Sequence, residues 1–212
     1  MVAIHTTADL LEKTMLALAE RPDLITSVRQ EVISVLSVHG LTNAGLAGLV
    51  LMDSVLKETQ RLNPVANSFL SRIVVDDFQL SNGMMIPKGT LLGVGPTHMW
   101  DGSFYENGSE FDGYRFLRMR EDPAKKQQSS LVSTSTHHLG FGHGSHACPG
   151  RFFAANEVKI ILCHLLLKYD WKILGEGPHI INLGVLNAAY PWTKFEIRRR
   201  TEELDIDEIA IR

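Results

Sequence analysis

Among its 212 residues the chain has only two cysteines, Cys148 and Cys163, and they lie far apart. That excludes a disulfide framework and fits a reducing compartment, so an intracellular protein is expected. There is no surplus of basic charge: 21 Lys and Arg stand against 24 Asp and Glu, a formal net charge of −3. Neither a nucleic-acid groove nor binding to an anionic membrane surface is indicated by that balance. No apolar run reaches the length of a membrane span, no G-x-G-x-x-G nucleotide fingerprint occurs, and no segment repeats. The first residues, "MVAIHTTADLLEK", have neither the basic start nor the apolar middle of a signal peptide. They begin directly inside a helical pattern, which reads as a chain cut from something larger or one starting late. What is present is ordinary globular composition, 44% hydrophobic and 21% charged, enough for one domain or slightly more.

Helical patterning comes first. Between His5 and Glu20, residues Leu10, Leu11, Met15, Leu16 and Leu18 recur at helical spacing. "ERPDL" ends that helix and starts a second, with Pro22 in its first turn, running to about Leu36. A third stretch, "AGLAGLVLMDSVLKETQRL", reads as one helix ending at Asn63-Pro64. The pattern then changes: "NSFLSRIVVDDFQL" and "MMIP" read as strands around an Asn82-Gly83 turn, followed by the apolar run "LLGVG". Residues 97–140 read as mostly irregular, and "REDPAKKQQSSLVSTSTHH" is polar enough for a mobile surface loop. One long helix is expected over "RFFAANEVKIILCHLLLKYDW", then short strands around "GEGP". The order predicts a mainly α fold with small β-sheets.

The chemistry concentrates in "FGHGSHACPG", residues 141–150. A thiolate metal ligand is favoured by backbone N–H groups and a helix N-terminus, and Cys148 stands at the mouth of the long helical pattern. Gly142, Gly144 and Gly150 let backbone approach a flat, bulky cofactor. Phe141 can pack on such a cofactor, and His146 can donate to an anionic group on it. A lone cysteine is more often a small buried hydrophobe, with the glycines serving as turn residues. A zinc site from His137, His138, His143, His146 and Cys148 is a further option, but the spacing matches no common zinc pattern. Cys163, within "IILCHLLL", reads as a core residue.

The order Phe141, Gly144, His146, Cys148, Gly150 resembles the heme-binding signature of the cytochrome P450 family. Upstream, "KETQR" resembles the family's Glu-x-x-Arg helix through Glu58 and Arg61, and "FDGYRF" resembles the segment carrying its third partner through Arg115. The family's Pro-Glu before that arginine is Gly113-Tyr114 here. "VAIHTTADLL" resembles the second half of the oxygen-binding helix, with Thr6 as the threonine, His5 where an acid normally stands and Ala3 in place of a glycine. The resemblance covers essentially all 212 residues as a carboxyl-terminal portion of the family's fold. This portion comprises the end of the oxygen-binding helix, the Glu-x-x-Arg helix, a small sheet, the cysteine loop and the following helix.

The resemblance implies a heme-thiolate monooxygenase that inserts one oxygen atom from O2 into a small organic substrate. Heme b would be held axially by Cys148, with Arg72 and His146 at its propionates and Phe141, Gly142 and Gly150 beside it. Thr6 and His5 would handle dioxygen and its protons, and Glu58, Arg61 and Arg115 would form a buried structural ion triad. Electrons from NADPH would arrive through a separate NADPH-cytochrome P450 reductase. "HTT" and "CPGRFFAANE" are in the style of fungal secondary metabolism. Full-length relatives are often anchored in the endoplasmic reticulum membrane, and the alternative is a truncated, non-catalytic fragment with weak or no heme binding.

Overall fold

Apolar residues at three- and four-residue intervals wind the first two segments into α1 (Val2–Ala19) and α2 (Pro22–His39). The structure, a computed structural model, describes residues 2–176 and 179–209. In α2 the buried stripe is Leu24, Val28, Val32 and Leu36, one residue per turn. The third segment is two helices and not one. The helix α3 (Asn43–Gly48) is capped by the Thr42 hydroxyl, which accepts from Gly45 N–H, and α4 (Val50–Leu62) starts after a break at Leu49. The carboxylate of Glu31 on α2 accepts from the new N-terminus, taking Leu51 and Met52 N–H at 2.6 and 2.8 Å. A buried helix start needs acceptors for its orphan N–H groups. Here the acceptor comes from another helix, which no local pattern announces.

Every residue of α4 from Leu51 to Arg61 is buried. Its apolar side, Leu51, Met52, Val55 and Leu56, joins the core shared with α1, α2 and α6 (Arg151–Lys168). Its polar side is satisfied by the irregular stretch between residues 97 and 140. Ser54 donates to Gly113 O at 2.6 Å and accepts from Phe116 and Leu117 N–H. Lys57 donates to Ser130 and Ser133 O at 2.6 and 2.8 Å. Asp53 lies between Lys159 and Arg120, 2.7 and 2.8 Å away, and accepts from Leu131 N–H. Only the first part of the polar stretch lies at the surface, with residues 123–127 exposed; the second part is no free surface loop, since Leu131 is 0% exposed and His138 2%. Polar composition misled here because the loop's backbone groups are partners for a buried polar helix face.

Two small antiparallel pairs follow α4. The strand β1 (Phe69–Ile73) pairs with β4 (Leu91–Val94), and β2 (Phe78–Gln79) pairs with β3 (Met85–Ile86) across the Asn82-Gly83 turn. A short helix, α5 (Arg115–Met119), carries Arg115 inward. The long helix α6 stops at Lys168, shorter than its sequence suggests. Tyr169, Asp170 and Trp171 instead open β5 (Tyr169–Leu174), which pairs with β8 (Lys194–Arg199). Arg29 takes the carbonyls of Leu166 and Tyr169, and the Trp171 indole donates to Met15 O at 3.1 Å, so tertiary partners end the helix. Between these strands, β6 (Ile180–Leu183) and β7 (Leu186–Ala189) form a hairpin bridged through Leu186 to Ala66. Among the described residues no helix is long and apolar enough to cross a membrane.

Candidate functional site

The loop before α6 is tied on itself. Cys148 N–H donates to Phe141 O at 2.8 Å, and Gly142 N–H donates to Leu139 O at 2.7 Å. Gly142 and Gly144 have φ of 71° and 69°, a left-handed conformation that strains other residues. That double reversal brings Cys148 back beneath α6, whose first residue Arg151 holds Cys148 O through its guanidinium at 2.8 Å. Cys148 is half-buried, whereas Cys163 on α6 is fully buried and its thiol is pushed up to about 12 by burial. At neutral pH Cys163 keeps its proton.

Above the loop lies a cavity of about 280 Å³. Thr6, Asp9 and Leu10 of α1, Gln60 of α4, Val65, Phe141, Cys148, Gly150, and Phe153, Ala154 and Val158 line it, among others. One thiol therefore faces a largely apolar wall contributed by α1, α6 and the end of α4. The Gln60 side-chain oxygen is buried there with no hydrogen-bond partner among the described residues. A soft sulfur donor in apolar surroundings suits an iron macrocycle held through one thiolate, so the residues present fit such a group.

Four of the candidate residues meet in this cavity: Thr6, Phe141, Cys148 and Gly150. Others do not line it. His5 and His146 are exposed, and Arg72 on β1 is exposed and donates to Ser71 O. Gly142 shapes the loop behind the wall through its φ. The histidines of the zinc option go separate ways. His137 stacks on Phe104 with centroids 3.6 Å apart, and His138 packs edge-on to Phe116. His143 meets the Thr134 hydroxyl. Burial drives the His138 imidazole well below its usual pKa, so it is neutral. Among the described residues no three His, Cys, Asp or Glu side chains assemble as a metal-ligand set.

Glu58, Arg61 and Arg115 converge on the side of α4 away from the cavity. Arg61 donates to both Glu58 oxygens at 2.8 Å, Arg115 Nε reaches them at 3.1 and 3.2 Å, and Asp112 N–H adds a fifth bond at 3.0 Å. The excess positive charge is met by carbonyls: Arg61 donates to Met99, Gly108 and Glu110, and Arg115 to Glu106, Asn107 and Glu110. The arrangement holds the 97–115 chain to α4.

Sequence reasoning passed over Gln60, Asp9, Val65, Phe153 and Val158. One carried a signal: Asp9 is about one helical turn beyond Thr6, so the two share a face in the cavity.

A family model described as Cytochrome P450 matches residues 1–192. The chain is 52% identical over 204 residues to the cytochrome P450 monooxygenase esdpI of Penicillium shearii, covering 96% of this chain and 40% of that protein. It is 51% identical over 214 residues to the cytochrome P450 monooxygenase eqxH of Fusarium heterosporum, covering 99% and 42%. In fold it is similar to the retinoic acid-bound cyanobacterial CYP120A1, with a TM-score of 0.75 and 24% identity over 92% of this chain and 43% of that one. The chain belongs to the cytochrome P450 family. It spans about two fifths of the length of the curated relatives it matches.

Proposed function

We propose that residues 1–212 act as one heme-thiolate unit of a monooxygenase, inserting one atom of O2 into a small organic substrate of fungal secondary metabolism. The observation that carries this is Cys148, half-buried at the base of an apolar cavity that also takes Thr6 from α1. Cys148 would hold the iron of heme b, with Phe141 and Gly150 against the macrocycle and Gly142 setting the loop. Bound there, the heme supplies the redox chemistry that activates dioxygen. Arg72 and His146, both exposed, would reach its propionates from the rim. Thr6, exposed on the cavity wall, would position a hydroxyl for proton handling, and its exposed neighbour His5 would exchange protons with solvent. NADPH-cytochrome P450 reductase would supply electrons, and the two free thiols favour action inside the cell.

The test is spectroscopic. Heme-loaded, reduced protein is expected to give the carbon monoxide spectrum of a thiolate-bound iron, Cys148→Ser to lose it, and Cys163→Ala to keep it. Absence of that spectrum from the unaltered protein would support a non-catalytic fragment. Its loss on Cys163→Ala with Cys148 intact would contradict the ligand assignment.

A further inference from the structure

At one wall of the cavity, an ion pair reaches from α1 to the chain after α4 and to β7. Lys13 of α1 is buried, with none of its side chain exposed, and it lies 2.7 Å from Asp9 one turn earlier. Its ammonium also donates to Asn187 O of β7 at 2.5 Å and to Pro64 O at 3.4 Å. Asp9 uses its other oxygen to accept from Ala189 N–H at 3.3 Å. The pair thus touches three separate pieces of chain: α1, the corner after α4, and β7. The same pieces are joined by backbone bonds from Asn187 N–H to Val65 O at 3.0 Å and from Asn67 N–H to Val185 O at 2.8 Å. Val65 and Asp9 both line the cavity that contains Cys148.

A buried ammonium and carboxylate give little net stability, because desolvation offsets their attraction. Their geometry is nevertheless demanding, since each remaining proton or lone pair needs a partner. Here those partners are carbonyls and an amide on elements that share no helix or sheet with α1. The 64–67 corner and the β6–β7 hairpin have no other charged tie to α1 among the described residues.

We propose that Asp9 and Lys13 are positioning residues that clasp the β6–β7 hairpin and the Val65 corner to α1 and so set the width of the cavity beside Cys148. The clasp works through backbone groups, so it fixes where Val65 stands without touching the reacting atoms. Ligand affinity should respond to it more than the heme ligand does. This inference rests on the heme-thiolate reading only for its ligand-binding arm.

Hydrogen exchange on the purified protein tests the clasp without heme. In Lys13→Met the Asn187 and Ala189 amides are expected to exchange roughly tenfold faster or more, as local opening becomes easier, while α2 and α6 keep their protection. In heme-loaded protein, binding of 4-phenylimidazole, an apolar iron ligand, is expected to weaken severalfold with the carbon monoxide spectrum unchanged. Should Lys13→Met be insoluble, Asp9→Leu/Lys13→Met removes both charges together, and Asn187 is then the amide to follow. Unchanged exchange at Asn187 in a folded variant overturns the clasp. Faster exchange with unchanged 4-phenylimidazole affinity also overturns it, since the pair would then hold the hairpin without shaping the cavity. A missing thiolate spectrum in the unaltered protein counts against the heme reading alone and leaves the exchange result standing.

Discussion

Lys57 shows how a single residue couples this fold to pH. It is wholly buried on α4, donates to two loop carbonyls, and burial lowers its pKa from an ordinary 10.5 to about 7. Between those values the unfolded chain binds a proton that the native protein has released. Stability from this group therefore rises with pH from about 7 upward, by at most about 1.4 kcal/mol per pH unit. Below that window both states are charged and the slope vanishes. Denaturant midpoints of the protein and of Lys57→Met, compared at about pH 6.5 and about pH 9, are expected to diverge at the higher pH in favour of the lysine. An equal gap at both values would mean that Lys57 is not desolvated as described.

At the scale of the element, α4 is a helix whose polar face is as buried as its apolar one. Glu58 is the anion shared by Arg61 and Arg115, and removing it leaves two guanidinium groups buried without a countercharge. Glu58→Ala is expected to lose about 3–5 kcal/mol, a large part of a domain's stability, and to yield insoluble or heme-free protein. A soluble variant with an unshifted melting temperature would contradict that. Its partner element is the irregular chain from 97 to 115, whose carbonyls receive the arginines. Neither would hold its shape without the other.

Over the whole molecule, one apolar cluster draws on α1, α2, α4, α6 and the loop residue Leu131 together. Cutting Leu131 to alanine should therefore weaken the entire unit, not merely free a loop. A loss of about 2–5 kcal/mol is expected, with circular dichroism and tryptophan fluorescence reporting the same lowered midpoint. An unshifted midpoint would show that the Leu131 segment folds apart from the core.

Much was settled by the amino-acid order alone. Helical spacing placed α1, α2 and α6, the Asn82-Gly83 turn marked the β2–β3 hairpin, and the spacing from Phe141 to Gly150 pointed to the family. Such signals are short-range: periodicity, turn chemistry and a ligand loop are written within some twenty residues. The break at Leu49, the end of α6 at Lys168, the burial of Leu131 and the Asp9–Lys13 clasp were decided only in three dimensions. Each depends on a partner far along the chain: Glu31 for the break, Arg29 and β8 for the helix end, Asp53 for the loop, and Asn187 for the clasp. A hydrogen bond across that distance has no spacing to betray it, because its donor and acceptor become neighbours only when the core closes.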